Sequence, residues 1–244
     1  VAETGGGRAS GGWKTSLIAA AAGLVIGALA VGLYYGFNTP GRAATEKIVH
    51  DYILNHGELL PEAMERLQHR QASAAVGRHR AALERPFHSA WAGAADGDVV
   101  LVEFFDYACG YCRASNPHVA RLLREDPRLK VVWREFPVLG PDSERAAMVS
   151  LAAAEAGRFR AFHDELFATA RPTEAAIESA RQAAGIAPPA PNDAYRAELL
   201  RNFELGRAVG ATGTPTFVVG DRVLQGAVGY DALKAAIEAA RARV

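Results

Sequence analysis

Thr15 to Phe37 is an apolar run without a single charged residue, unlike anything later in the chain. As a helix, its 23 positions would span about 34 Å, enough for a bilayer core of roughly 30 Å. Trp13 and Lys14 at one end, and Tyr34, Tyr35 and Phe37 at the other, suit the two interfaces. The run exceeds the roughly 7–15 apolar residues of a cleaved signal peptide. A retained transmembrane anchor is therefore expected over 15–37, behind a short tail at 1–14. Arg8 and Lys14 before it balance Arg42 and Lys47 after it, so charge does not orient the span.

Helical spacing resumes after the break at residues 38–42. Thr45 is predicted to cap a short helix bearing Ile48, Tyr52 and Ile53, with Gly57 as its stop. Pro61 opens a second helix with Leu60, Met64 and Leu67 on one stripe, ending at Arg85-Pro86. Region 43–85 holds too few large apolar residues for a core of its own. It is expected to pack on the domain C-terminal to it or to pair with copies of itself.

Residues 92–98 read as a loop, and Val99–Phe105 as a buried central strand. A helix over 109–124, with Val119, Leu122 and Leu123 on its apolar side, leads to a second strand over 129–136. Strand, helix and strand at this spacing form a parallel crossover. A helical tract comes next, with caps predicted at Asp142-Ser143, Thr173 and Asn192-Asp193 and a stiff connector at 187–191. Strands at 216–219 and 222–224 then form an antiparallel hairpin, and 230–243 closes the chain as an amphipathic helix. This order predicts an α/β chain: a thioredoxin fold over 90–244 with an all-helical insert at about 142–206, preceded by N-terminal helices and one transmembrane helix.

Composition narrows the partners. The 244 residues carry 27 basic and 27 acidic side chains, so no net field draws the chain to nucleic acid. Two cysteines exclude a disulfide-stapled miniprotein and any four-cysteine zinc site within one chain. His50, His56, His69 and His79 read as solvated helix positions. No metal and no cofactor is expected.

The two cysteines are placed for redox chemistry. Cys109-Gly110-Tyr111-Cys112 comes directly after a strand and opens a helix, whose free N–H groups stabilise a thiolate on Cys109. Cys112, one turn in, should be more buried and resolve a mixed disulfide. Glu103 shares a strand face with Leu101 and Phe105, where burial would raise its pKa and let it exchange protons with the resolving thiol. Pro215, after Thr214, fits poorly as a ladder residue. A cis bond there would turn the loop toward the cysteines and free backbone groups for an extended substrate; a trans turn is the alternative. A different class of function, copper(I) binding, would use the same two thiols as soft ligands.

Three segments carry a resemblance: Phe104–Cys112, Arg134–Ser143 and Gly213–Val218. They resemble the DsbA-type thiol–disulfide oxidoreductases, most nearly the branch of suppressor of copper sensitivity protein C and the Com1-like proteins, over about residues 43–244. The resemblance implies Cys109 as nucleophile, Cys112 as resolving thiol, Glu103 as the buried acid and Pro215 in cis. With Thr214, Gly110 and Tyr111 as substrate contacts, it implies exchange with protein thiols and disulfides, in either the oxidase or the isomerase/reductase direction. It also implies a membrane redox partner to reset the pair, oligomerisation through the N-terminal helices, and a periplasmic catalytic domain. With the anchor, the expected setting is a bacterial inner membrane crossed once.

Overall fold

The computed structural model describes residues 12–38, 41–190 and 192–243. The tail up to residue 11, residues 39–40 of the expected break, and Pro191 of the connector lie outside the described residues. The chain divides into two compact units, Val1–Ala63 and Met64–Val244.

In the first unit, α1 (Gly12–Asn38) contains the stretch Leu17–Gly36, with a mean hydropathy of 2.3 and its side chains exposed. Helix α2 (Arg42–Asn55) begins before the predicted cap. Gly41 is the N-cap, and Thr45 lies in the first turn with its amide bonded to the Gly41 carbonyl at 3.0 Å. Ala43 and Ala44 are strong helix formers, and the Arg42–Glu46 pair at 2.8 Å spans the same turn, so the helix extends back past Thr45. No α2 residue is buried.

Helix α3 (Leu59–Glu84) runs into the second unit, where Ala75, Val76 and Leu83 are buried. Next come β1 (Trp91–Gly93), β2 (Val99–Phe105), α4 (Gly110–Glu125) and β3 (Leu129–Glu135). Helices α5 (Pro141–Glu155), α6 (Phe159–Ala168), α7 (Glu174–Ala183) and α8 (Asp193–Val209) separate β3 from β4 (Thr216–Val219). Strand β5 (Arg222–Gln225) and α9 (Gly229–Arg241) complete the unit.

The five strands lie in the order β1-β3-β2-β4-β5. Strands β2 and β3 are parallel from Val99↔Leu129 to Phe105↔Glu135, while β4 runs antiparallel to β2 on its other side. Strand alternation divides the core in two. Leu101, Phe105, Val131, Trp133 and Phe217 pack with apolar residues of α4, α6 and α9. Val102, Phe104, Val132 and Val218 pack on the opposite side with Val76, Leu83, Leu205 and Val209. With helices on both faces, β2 is apolar throughout except at Glu103.

Strand β1 corrects the loop expected at 92–98. Trp91–Gly93 pairs antiparallel with β3 through Trp91↔Val132 and Gly93↔Lys130. Three residues are too few to show a period of two. Gly93 has φ +91°, and a Cβ there would lie 2.1 Å from the Leu129 carbonyl oxygen, so the edge closes only on glycine. The cap predicted for α5 also moves. Gly140 is the N-cap and Pro141 the first helical residue, because proline needs no N–H there, which puts Asp142 and Ser143 inside the first turn. Thr173 and Asn192 do cap α7 and α8, accepting from Ala176 N at 3.2 Å and Ala194 N at 2.9 Å.

One buried cation joins three elements. The Arg134 guanidinium, 2% exposed, donates to the Leu83 carbonyl at 3.0 Å, to Arg85 at 2.7 Å and to Ala82. It also donates to Asn202 Oδ1 at 2.8 Å and Glu198 Oε1 at 3.2 Å. Carbonyls at a helix C-terminus lack intrahelical partners, and an arginine fork satisfies several at once. Removing one side of such a buried pair typically costs about 3–5 kcal/mol.

Candidate active site

The site lies where β2 gives way to α4. Cys109 is the N-cap of α4, with φ −81° and ψ 114°, and its N–H donates to the Asp106 carbonyl at 3.0 Å. Cys112 lies one turn further and is fully buried, against 5% exposure for Cys109. Both cysteines are free thiols. Gly110 and Tyr111 lie between them on the exposed side, Tyr111 with 70% of its surface in solvent.

The Thr214–Pro215 bond is cis. This loop faces Cys109, whose Sγ lies 3.2 Å from the Thr214 carbonyl oxygen. Pro215 is buried, and its carbonyl accepts from Gly226 N at 2.8 Å, which ties the loop to the end of β5.

The two sulfurs are driven apart in acidity. Cys109 is held down at about 5 from an ordinary 9, first by the Cys112 thiol donating to its sulfur. Burial works against this, while a bond from the Thr214 side chain and the N–H groups of Cys112 and Tyr111 add to it. Cys112 is pushed far above the thiol range by burial, by its bond to Cys109 and by the nearby Glu103 carboxyl. One sulfur is poised as thiolate, its neighbour as thiol.

Glu103 lies in the middle of the central strand, fully buried, with Trp133 Nε1 donating to its Oε2 at 3.0 Å and Oε1 unpartnered among the described residues. Burial raises its pKa from 4.5 to about 8, the Trp133 bond opposes, and the Cys109 charge adds to the rise. The carboxyl therefore keeps its proton at neutral pH. An edge position reaching solvent is excluded, because β2 is flanked by β3 and β4.

The structure thus brings Cys109, Cys112 and Thr214 into contact, with Pro215 beside them and Glu103 near enough to raise the Cys112 pKa and to be raised itself by the Cys109 charge. Sequence reasoning missed Asp106, whose buried carboxylate bonds the backbone of two loops, and the Trp133 donor to Glu103. An acidic residue just past an apolar strand was the available signal for Asp106. Trp133 gave none, because its pairing depends on the β2–β3 register, Glu103↔Trp133. A second buried polar cluster joins the Tyr107 hydroxyl to Ser150 Oγ at 2.8 Å and to His163 Nδ1 at 3.4 Å. Burial keeps that histidine neutral. Among the described residues, no three His, Cys, Asp or Glu side chains group as a metal site.

A cysteine pair opening a helix on this sheet, faced by a cis-proline loop, defines a thiol–disulfide oxidoreductase of thioredoxin fold. The chain belongs to the DsbA family: residues 100–238 match the DSBA-like thioredoxin domain, and residues 42–74 match the copper resistance protein ScsC N-terminal domain. It is similar to a linker-deletion mutant of Proteus mirabilis ScsC, at 29% identity and a TM-score of 0.72, over 85% of this chain and 100% of that one. It is also similar to a periplasmic thioredoxin-like protein from Salmonella enterica serovar Typhimurium, at 31% identity and a TM-score of 0.63, over 67% and 95% of the two chains. Among curated proteins, the Na(+)/H(+) antiporter NhaA 3 of Salinispora tropica is 31% identical over 162 residues, 61% of this chain. The chain spans about a quarter (24%) of that protein's length.

These ionisations have two measurable outcomes. Alkylation of the reduced chain by iodoacetamide should occur at Cys109 alone, with a rate that rises through a midpoint near pH 5; a midpoint near 9 would contradict the arrangement. For Glu103, the folded state keeps its proton up to about pH 8, while an unfolded chain releases it near 4.5. The unfolded state then binds fewer protons between those values, so this group lowers stability as pH rises through the window. The stability advantage of Glu103→Gln over the native chain should accordingly grow between pH 5 and 8.5 by about a few kcal/mol in denaturant titrations. A difference that is flat or shrinks with pH would show that Glu103 is ionised in the fold.

Proposed function

We propose that this chain is a membrane-tethered oxidoreductase that exchanges disulfides with protein substrates in the bacterial periplasm, with Cys109 as nucleophile and Cys112 as resolving thiol. The observation that carries it is Cys109, held at a low pKa at the N-terminus of α4 with its sulfur facing the loop of Thr214 and the cis Pro215.

In the oxidising direction, a substrate thiolate attacks Cys109 Sγ of the Cys109–Cys112 disulfide. The S–S bond breaks, Cys112 leaves with the electron pair, and Glu103 is the nearby acid to protonate it. A second substrate thiolate then attacks the mixed disulfide and expels Cys109 as thiolate. The substrate is oxidised by two electrons and the pair is reduced by two. In the isomerase/reductase direction, the Cys109 thiolate attacks a substrate disulfide and expels one substrate thiolate. Another substrate thiolate that then expels Cys109 leaves a rearranged disulfide and a reduced pair, whereas attack by Cys112 releases a substrate reduced by two electrons and a pair oxidised by two. Exposed Gly110 and Tyr111, with the peptide groups of Thr214, meet an extended substrate strand, and a membrane redox partner resets the pair.

The domain assignment is that of the sequence reading: an anchor at 15–37, a helical region at 43–85 and the catalytic domain at 90–244. The uncharged stretch Leu17–Gly36 supports the anchor, and the similar periplasmic protein supports the compartment. Exposed Ile48, Tyr52, Leu60, Met64 and Leu67, on a segment that includes the ScsC-like match, support self-association.

In cells, Cys112→Ser should accumulate mixed disulfides with substrate proteins through Cys109, and Cys109→Ser should form none. Exchange that survives Cys109→Ser on a model dithiol would refute the assignment. For the anchor, the full chain should stay with membranes through an alkaline carbonate wash, while a chain beginning at residue 42 is released. Release of both would remove the tether from the proposal.

A further inference from the structure

The loop that carries the cis proline is pinned at both ends by one exposed side chain. Gly210, at φ +79°, stops α8, and β4 does not begin until Thr216. The Gln225 amide, at the end of β5, reaches both limits. Its Nε2 donates to the Gly210 carbonyl at 2.9 Å. Its Oε1 accepts from the Thr216 hydroxyl at 2.8 Å, and from Thr212 Oγ1 and N at 3.3 and 3.4 Å. The Thr216 hydroxyl also lies 2.7 Å from the Gly213 carbonyl oxygen, so amide, hydroxyl and loop form one connected set.

The strand register explains why position 225 can do this. Gln225 lies opposite Thr216 in the terminal pair of the β4–β5 ladder, and Gly226 N bonds the Pro215 carbonyl at 2.8 Å. The backbone after β5 thus holds Pro215, while the Gln225 side chain holds the residues before it. Packing adds little on that side. Gly210, Thr212 and Gln225 are all exposed and line an open groove of about 530 Å³. Thr214 lies between these anchors, with its carbonyl oxygen 3.2 Å from Cys109 Sγ, and its side chain helps to hold Cys109 acidic. Contacts of that length weaken steeply once distance or angle degrades.

We propose that Gln225 is a positioning residue for disulfide exchange: its amide brackets the Gly210–Thr216 loop and so sets where Thr214 meets Cys109. The inference rests on the exchange activity proposed above and adds a residue that lies outside both the cysteine motif and the proline motif. No bond among the described residues joins Gln225 to either sulfur, so it acts through the loop. That loop carries no ionisable side chain from Gly210 to Thr216. The groups that titrate with Cys109, Glu103 on β2 and Cys112 on α4, bond Trp133 and Cys109 respectively, and a change at Gln225 leaves those bonds in place.

The test uses the full chain with Gln225→Met, which keeps the length of the side chain and deletes its amide. Two quantities are read: the pH midpoint of Cys109 alkylation by iodoacetamide, and steady-state exchange with a peptide dithiol. The midpoint should rise by about half a pH unit or more as Thr214 moves off the sulfur. For the peptide, kcat/KM should fall about fivefold or more. Thr216→Val, which removes only the hydroxyl of that set, should shift the midpoint in the same direction. The double variant should shift it by less than the sum, because both changes act through one set of bonds. Should Gln225→Met not fold, Thr216→Val alone carries the same two expectations. An unchanged alkylation midpoint, additive shifts, or exchange at the native rate would overturn the inference while leaving the exchange activity standing. A native chain inert toward the peptide would sink the exchange activity and this inference together.

Discussion

The site depends on β2 being buried on both faces. A strand that gives Leu101 and Phe105 to one core cluster and Val102 and Phe104 to the other is confined to the middle of the sheet. The chain can leave it only among packed side chains, where every backbone polar group must find a partner. Asp106 answers that demand with its carboxylate and its carbonyl, and Cys109 caps the helix that begins just beyond it. The reactive sulfur is thus placed by a rule of packing before any chemistry is considered.

The electrostatics arise from the same confinement. Glu103 is protonated because the strand that holds it is dry, and burial likewise keeps Cys112 as the thiol. Cys109, at the rim, has N–H groups and a neighbouring thiol to hold its charge. A depth difference of one helical turn therefore separates the roles of two otherwise identical side chains.

How far the sequence could be read depends on how local each signal is. The strand–cysteine–helix junction is contiguous, so Cys109, Cys112 and the run around Glu103 were visible in one window of the chain. The crossover and the hairpin, Thr216–Gln225, were legible because their periodicity and turn residues lie side by side. Strand β1 was not, because its identity as a strand comes from pairing with Val131 and Val132, some forty residues away. The starts of α2 and α5 were misplaced toward Thr45 and Ser143, where side-chain caps were expected and glycine caps were used. Asp106 was invisible in its role because its partners, Val138 and Leu139, come from another strand's exit.

Gly110 has a different kind of consequence. A Cβ added there would meet nothing within 4 Å, and Tyr111 beside it is mostly in solvent. The two positions between the sulfurs therefore carry almost no packing duty, although they flank the most sensitive chemistry in the molecule. A substitution at this dipeptide meets little resistance from the fold. The architecture separates the positions that hold the two sulfurs in place from those that the packing leaves unconstrained.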